Sequence, residues 1–301
     1  MYAITGATGN IGSKVVEILL ERGEKVRVIG RDAARLRRFV TRGAEEAVGD
    51  LKDTVFLTGA FTGIDALFAM IPPDYAAADF RAYQNDIGRS IANAITRGKV
   101  KHVVNLSSQG GELSARTGPI LGLHDQEERL NRLVGVNVLH LRPTYFMENL
   151  LMNIPLIHER GIAGSAVRGD LKFAMIATKD IADRVADHLI KRDFTGKVVK
   201  DLLGQRDLSL DEAFTVIGKR IGFPDQKYVQ FPYDEARKEM TAMGISPDFS
   251  KLIVEMSAAL NDGLFGVNRP RTAENTTRTS IEEFAETFAE AFETAELKIA
   301  A

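Results

Sequence analysis

The string TGATGNIG at residues 5–12 places glycines at Gly6, Gly9 and Gly12, each three residues after the last. It follows a short apolar run at residues 2–5. After it come Ile11, Val15, Val16, Ile18, Leu19 and Leu20 at helical spacing, with Gly23 as a stop. Strand, glycine turn and helix in that order is a layout for gripping a dinucleotide. Gly6 permits the tight turn, Gly9 lets backbone approach a pyrophosphate, and Gly12 lets the helix sit close to the sheet. Free N–H groups at Asn10 and Ile11 present the positive end of the helix dipole, and Thr8 offers a hydroxyl. The competing reading is a glycine-rich turn with no ligand.

The rest of the first half alternates strand-like and helix-like segments. Apolar runs at 25–30, 64–71, 100–108 and 136–143 read as strands, and 45–50 leads from another into a short helix starting near Leu51. Helical stretches begin at Ala33 and span about 76–96 and 121–133. Apolar strands separated by helices predict an α/β fold with a doubly wound parallel sheet of Rossmann type, its ligand crevice at the carboxyl ends of the strands. Beyond residue 150 the rhythm loosens. Strands are expected at 173–177 and 197–203, with a helix over 179–191 between them. Ser209 with Glu212 and Ser280 with Glu283 form S-x-x-E capping boxes. The expectation is a dinucleotide domain over 1–150 and a smaller, mostly helical substrate lobe over 151–301, some of whose segments return to the first sheet. In that lobe Tyr228, Phe231, Tyr233, Met240, Met243, Phe249 and Met256 offer a far wall, but helical spacing explains most of them as core.

Composition narrows the function classes. With 301 residues, 45% hydrophobic and 27% charged, the chain suits a globular protein with a sizeable core. A net charge of −2 supplies no field for nucleic acid or an anionic membrane. The local cluster Arg27, Arg31, Arg35, Arg37 and Arg38 is enough for one phosphate group. The absence of cysteine excludes a disulfide framework, a thiolate metal site and a thiol nucleophile. The five histidines have no ligand spacing, so no metal site is expected. The amino terminus reads straight into structure without a leader pattern, and no apolar run nears membrane-span length, so a reducing cytoplasm is the default compartment.

The second strand ends VIGRD. A carboxylate at this point selects NAD, whereas Arg31 can stack on adenine and bind a 2′-phosphate, with Arg35 one helical turn later. NADP(H) is therefore preferred over NAD(H). Asp32 either reaches the ribose or caps the helix starting at Ala33. Asp50 either bonds the adenine amino group, caps the next helix, or does both. Met70 and Ile71, ending the fourth strand, contact adenosine or belong to the core. Ser107 and Ser108 end the fifth strand near the nicotinamide, or form a polar turn.

TGATGNIG, the arginine after the second strand and LRPTYFMENL at 141–150 together resemble the NmrA-like family, atypical members of the short-chain dehydrogenase/reductase superfamily. HDQEERL at 124–130 and ENTTRTSIEEFA at 274–285 resemble further family segments. The resemblance covers nearly the whole chain and implies NAD(P) binding. It leaves the reaction open, because such proteins include NADPH-dependent quinone reductases, reductases of plant phenolics, and regulators that sense the NAD(P) state.

Reduction of a carbonyl needs a hydride and a proton for the developing oxyanion. None of the six tyrosines has a lysine four residues on, so the usual Tyr-x-x-x-Lys pair is missing. His124 is the replacement donor, with Glu128 one turn later to orient it. Tyr145 and Asn149, after the sixth strand, are expected to meet substrate, while Phe146 and Met147 suit core. Three functions follow: an NADPH-dependent reductase of a quinone or small conjugated carbonyl, a catalytically silent NAD(P) sensor acting on a protein partner, and a nucleotide-sugar epimerase. The first implies a small-molecule partner. A homodimer is left open.

Overall fold

The computed structural model describes residues 1–267 and 269–299, with side chains to residue 295. The first half runs β1 (Tyr2–Ile4), α1 (Asn10–Glu21), β2 (Val26–Gly30), α2 (Ala33–Val40), β3 (Glu45–Val48), α3 (Thr54–Phe61), β4 (Ala66–Ala69), α4 (Phe80–Arg97), β5 (His102–Leu106), α5 (Leu121–Asn131) and β6 (Asn137–Pro143). The second half runs β7 (Tyr145–Phe146), α6 (Ile154–Arg160), β8 (Ile162–Ser165), β9 (Phe173–Ile176), α7 (Thr178–Lys191), β10 (Lys197–Leu202), β11 (Asp207–Leu208), α8 (Leu210–Arg220), β12 (Lys227–Gln230), α9 (Tyr233–Ala242), α10 (Pro247–Asn261) and α11 (Ile281–Ile299).

Seven parallel strands form the main sheet in the order β10-β6-β5-β4-β1-β2-β3. The order reverses between β1 and β4, which opens a crevice at their carboxyl ends. Strand alternation divides the burial. Ile4, Val28, Phe68 and Val104 face α1, α2 and α7, whereas Ala3, Ile29, Leu67 and Val103 face α3, α4 and α5. Strand β10 pairs with β6, and α7 packs on α1, so this layer draws two elements from beyond residue 150.

The remaining elements enclose a second core of Met147, Leu150, Phe173, Phe214, Phe284 and Phe288, among others. Two small sheets, β11-β9-β7 and β12-β8, stiffen it. Both capping boxes form. Ser209 N–H donates to Glu212 at 2.9 Å and Glu212 N–H to the Ser209 hydroxyl at 3.1 Å, with the Ser280–Glu283 pair at 3.0 and 3.1 Å. Among the described residues no helix is long and apolar enough to cross a membrane.

Three local expectations are corrected. The helix expected near Leu51 begins at Thr54, because Asp53 accepts from Val55 and Phe56 N–H and starts it there. The helix expected from about 76 begins at Phe80, where Asp79 caps it. Tyr228 lies on a strand rather than a helix, and Tyr233 and Met243 are exposed rather than core.

Candidate functional site

The crevice is built on the turn between β1 and α1. Gly6 adopts φ +63°, a backbone favourable only for glycine, and a β-carbon there would overlap the Met70 side chain. A β-carbon on Gly12 would overlap the Gly6 carbonyl. Gly9 is the N-cap residue of α1 and its N–H donates to Gly6 O at 3.0 Å. No side chain caps α1, so the first-turn amides at Asn10 and Ile11 are left for an anion. This cradle fits a pyrophosphate in both shape and charge.

Arg31 follows β2, is exposed, and forms no hydrogen bond or ion pair among the described residues; its charge acts on Tyr83. Asp32 is committed as the cap of α2, accepting from Ala34 N–H at 2.9 Å and Arg35 N–H at 3.4 Å. Arg35 turns back over the glycine turn and donates to Thr8 O at 3.4 Å. Arg27, grouped with these arginines by sequence, instead pairs with Glu45 at 2.9 Å and donates to Ala60 O. Asp50 does not cap α3; it accepts from Lys52 N–H at 2.8 Å in a tight turn. Lys52 lies over the Tyr83 ring at 4.9 Å, and the Tyr83 hydroxyl donates to Pro72 O at 3.0 Å. The structure thus groups Arg31, Asp50 and Tyr83 at one end of the crevice.

Met70 and Ile71 follow β4, and Met70 meets the glycine turn at Gly6. The Thr5 hydroxyl contacts Met70 O at 3.0 Å and Met70 N at 2.8 Å. Ile71 is buried among α3 and α4 side chains, so it serves the core, while Met70 is half-buried against Gly6. Ser107, expected near the nicotinamide, is buried and its hydroxyl donates to Glu127. Arg142 closes on the same carboxylate at 2.6 and 2.9 Å. Burial pushes the Glu127 carboxyl up, but the bonds from Arg142 and Ser107 outweigh it and hold the group below its ordinary range.

The RPTYFMEN segment divides its work residue by residue. Arg142 holds Glu127 and Glu112. Phe146 packs on the first core and Met147 in the second. Glu148 accepts from Thr178 N–H at 3.0 Å and from the Thr178 hydroxyl, capping α7, and Lys14 of α1 donates to that hydroxyl at 3.3 Å. Tyr145 stands edge-on to Phe173 with ring centroids 5.4 Å apart. Burial drives its phenol far above the ordinary range, so it stays protonated. Asn149 is exposed.

The expected couple of His124 with Glu128 is not formed. His124 Nδ1–H donates to Gly111 O at 2.9 Å. Glu128 pairs with Arg132 at 3.9 Å, one turn further along α5. His124 opens on a groove between α4 and α5 lined by Asn85, Asp125, Glu128, Arg129 and Arg132, and neither Tyr145 nor Asn149 lines it. Behind this wall His140 is fully buried, accepting at Nδ1 from Asn105 and donating at Nε2 to Asn131. Burial lowers it to about 4, so it is neutral.

Sequence reasoning passed over Glu127, Glu148 and Gln109. Glu148 stands inside the motif that carries the resemblance, and that was its only signal. Glu127 has an acidic neighbour at 128, and only the side of α5 that faces β6 separates them.

A seven-stranded doubly wound sheet with a glycine turn at its switch point defines the broad class of α/β proteins of Rossmann type. The chain belongs to the NmrA-like family, whose model matches residues 2–285. It is 30% identical over 299 residues to an NAD(P)H azoreductase of Xenophilus azovorans, covering 97% of this chain and 99% of that protein. It is 29% identical over 227 residues to quinone oxidoreductase 2 of Escherichia coli (strain K12), covering 74% and 75%. The fold is also that of the Citrobacter sp. triphenylmethane reductase complexed with NADP(H): TM-score 0.80, 19% identity, covering 96% of this chain and 100% of the other.

Proposed function

We propose that this protein is an NADPH-dependent reductase that passes hydride directly to a quinone or small conjugated carbonyl compound. One observation carries the choice of cofactor: Arg31, at the end of β2, forms no hydrogen bond or ion pair among the described residues, while the Asp32 carboxylate is occupied in capping α2. A free guanidinium beside a committed carboxylate favours a 2′-phosphate over a bare ribose. In this reading Asn10 and Ile11 amides hold the pyrophosphate, Arg31 and Arg35 the 2′-phosphate, and Asp50 the adenine amino group. Thr8 and Met70 flank the turn. Bound NADPH supplies a hydride at nicotinamide C4 that, with one proton, converts a quinone to its hydroquinone. Tyr145 and Asn149 orient the substrate, and the lobe beyond residue 150, less β10 and α7, closes over it. Water supplies the proton, because His124 has its N–H on Gly111; His124 is the side-chain alternative. The relatives' activities on azo and quinone compounds, each a planar conjugated acceptor, support the substrate class. A reducing cytoplasm is the compartment this chemistry implies.

The test is calorimetry with NADPH and NADH, followed by NADPH oxidation with a panel of quinones and enones. Binding of NADPH with no turnover of any acceptor would remove the reductase reading. A sensor is the second reading, favoured by the missing tyrosine–lysine pair and the unformed His124–Glu128 couple. Equal affinity for NADP+ and NADPH, with no change in assembly, removes that one.

A further inference from the structure

Gln109 lies three residues past the end of β5, at the carboxyl edge of the sheet. Its backbone N–H donates to Pro143 O at 3.0 Å, which fixes it beside the strand end that leads into Tyr145. The residue is 4% exposed, yet among the described residues its Nε2 meets no hydrogen-bond acceptor. A buried amide donor without a partner is rare and costly in a folded protein. The Phe265 ring lies 3.3 Å from where a β-carbon on Gly110 would be, and Gly266, at φ +88°, sits so that its β-carbon would be 3.9 Å from Gln109 Oε1. A β-carbon at Gly266 would also overlap Leu260 Cδ1, so only a glycine fits that turn without strain.

We propose that Gln109 is the residue that reads the substrate, donating from Nε2 to a carbonyl oxygen of a planar quinone seated between Tyr145 and the Phe265–Gly266 turn. The proposal rests on the reductase reading for its reaction, but the binding event stands apart from it. A site built around an unpaired donor accepts ligands that bring an acceptor and discriminates against those that leave it unpaired. The specificity is therefore for compounds with an exposed carbonyl oxygen, against conjugated cations without one. The same orphan donor destabilises the free protein, a trade of stability for recognition.

The test uses the full chain and two substitutions, Gln109→Met, which keeps length and removes the donor, and Gln109→Glu, which replaces it with an acceptor. The probes are 2-methyl-1,4-naphthoquinone and crystal violet, a triarylmethane cation with no carbonyl. Calorimetry on the NADP+-saturated protein gives affinity, and NADPH oxidation gives kcat/KM. Both substitutions are expected to weaken naphthoquinone binding about tenfold or more while leaving NADPH affinity and crystal violet within about twofold. Gln109→Met should also raise Tm by about 2–4 °C, because the unpaired donor is gone. Naphthoquinone affinity unchanged in both variants overturns the proposal, as does an equal loss for both probes, or no naphthoquinone binding by the wild-type protein. Gln109-dependent binding without turnover sustains the proposal and removes the reductase reading instead.

Discussion

Gly12 has no room for a side chain because its α-carbon faces the carbonyl oxygen of Gly6, six residues earlier across the same turn. The contact seats the start of α1 against the end of β1 and aims its first amides into the crevice. Gly12→Ala should push the helix off the turn. The expected outcome is at least a tenfold loss of NADPH affinity by calorimetry, with Tm lowered as well, since overpacking costs about 1–3 kcal/mol.

In the proposed function Arg31 supplies the charge for the 2′-phosphate. Arg31→Ala is expected to weaken NADPH by roughly tenfold to a hundredfold, the worth of a charge-assisted hydrogen bond, and to leave NADH nearly unchanged. Parallel titrations with both cofactors measure this. An equal loss for both would place Arg31 outside the phosphate site.

Glu148 ties three elements together by capping α7 through Thr178, to which Lys14 also bonds. Glu148→Ala should cost about 1–2 kcal/mol in chemical denaturation, the typical worth of a cap. Glu148→Gln keeps an acceptor oxygen and should recover part of it. Tyr145 and Asn149 flank this anchor, so the alanine variant should raise KM for the acceptor more than it changes NADPH affinity.

His140 makes stability depend on pH. Its folded value of about 4 lies below the unfolded value of about 6.5, so the unfolded chain binds more protons between them. The neutral imidazole contributes fully above pH ~6.5, and its contribution is lost as pH falls toward 4, on the order of 3 kcal/mol. His188 is also lowered by burial, so the comparison is made against His140→Gln. The variant should be less stable at pH 7.5 and show a shallower decline on acidification. Parallel curves would assign the decline elsewhere.

Tyr145 keeps its proton through the neutral range, so in the proposed site its hydroxyl orients the substrate by a hydrogen bond and does not act as a base. Tyr145→Phe is expected to lower kcat/KM for a quinone about tenfold with NADPH affinity intact. A loss of NADPH affinity of the same size would place the phenol on the cofactor instead.

Much of the fold is legible along the chain. The glycine spacing, the alternation of apolar strands with helices, the two S-x-x-E boxes and the Ile281–Phe284–Phe288–Phe292 stripe each report bonds or faces set within a few residues, and each forms as spaced. Helix starts slipped where several acids stood in line: Asp50 and Asp53 both precede α3, and only backbone geometry chose Asp53.

The amino-acid sequence by itself determined the strand–turn–helix that can hold a pyrophosphate, because that depends on glycine's backbone freedom and on contacts at most six residues apart. Tertiary structure alone decided that Glu127 rather than Glu128 is the buried carboxylate, that Arg35 reaches Thr8, that Glu148 caps a helix 30 residues on, and that Gln109 Nε2 meets no partner among the described residues. Those outcomes depend on which side chains the sheet brings together from distant parts of the chain. No local periodicity records such a meeting, because the free energy of each pair exists only once both partners are buried side by side.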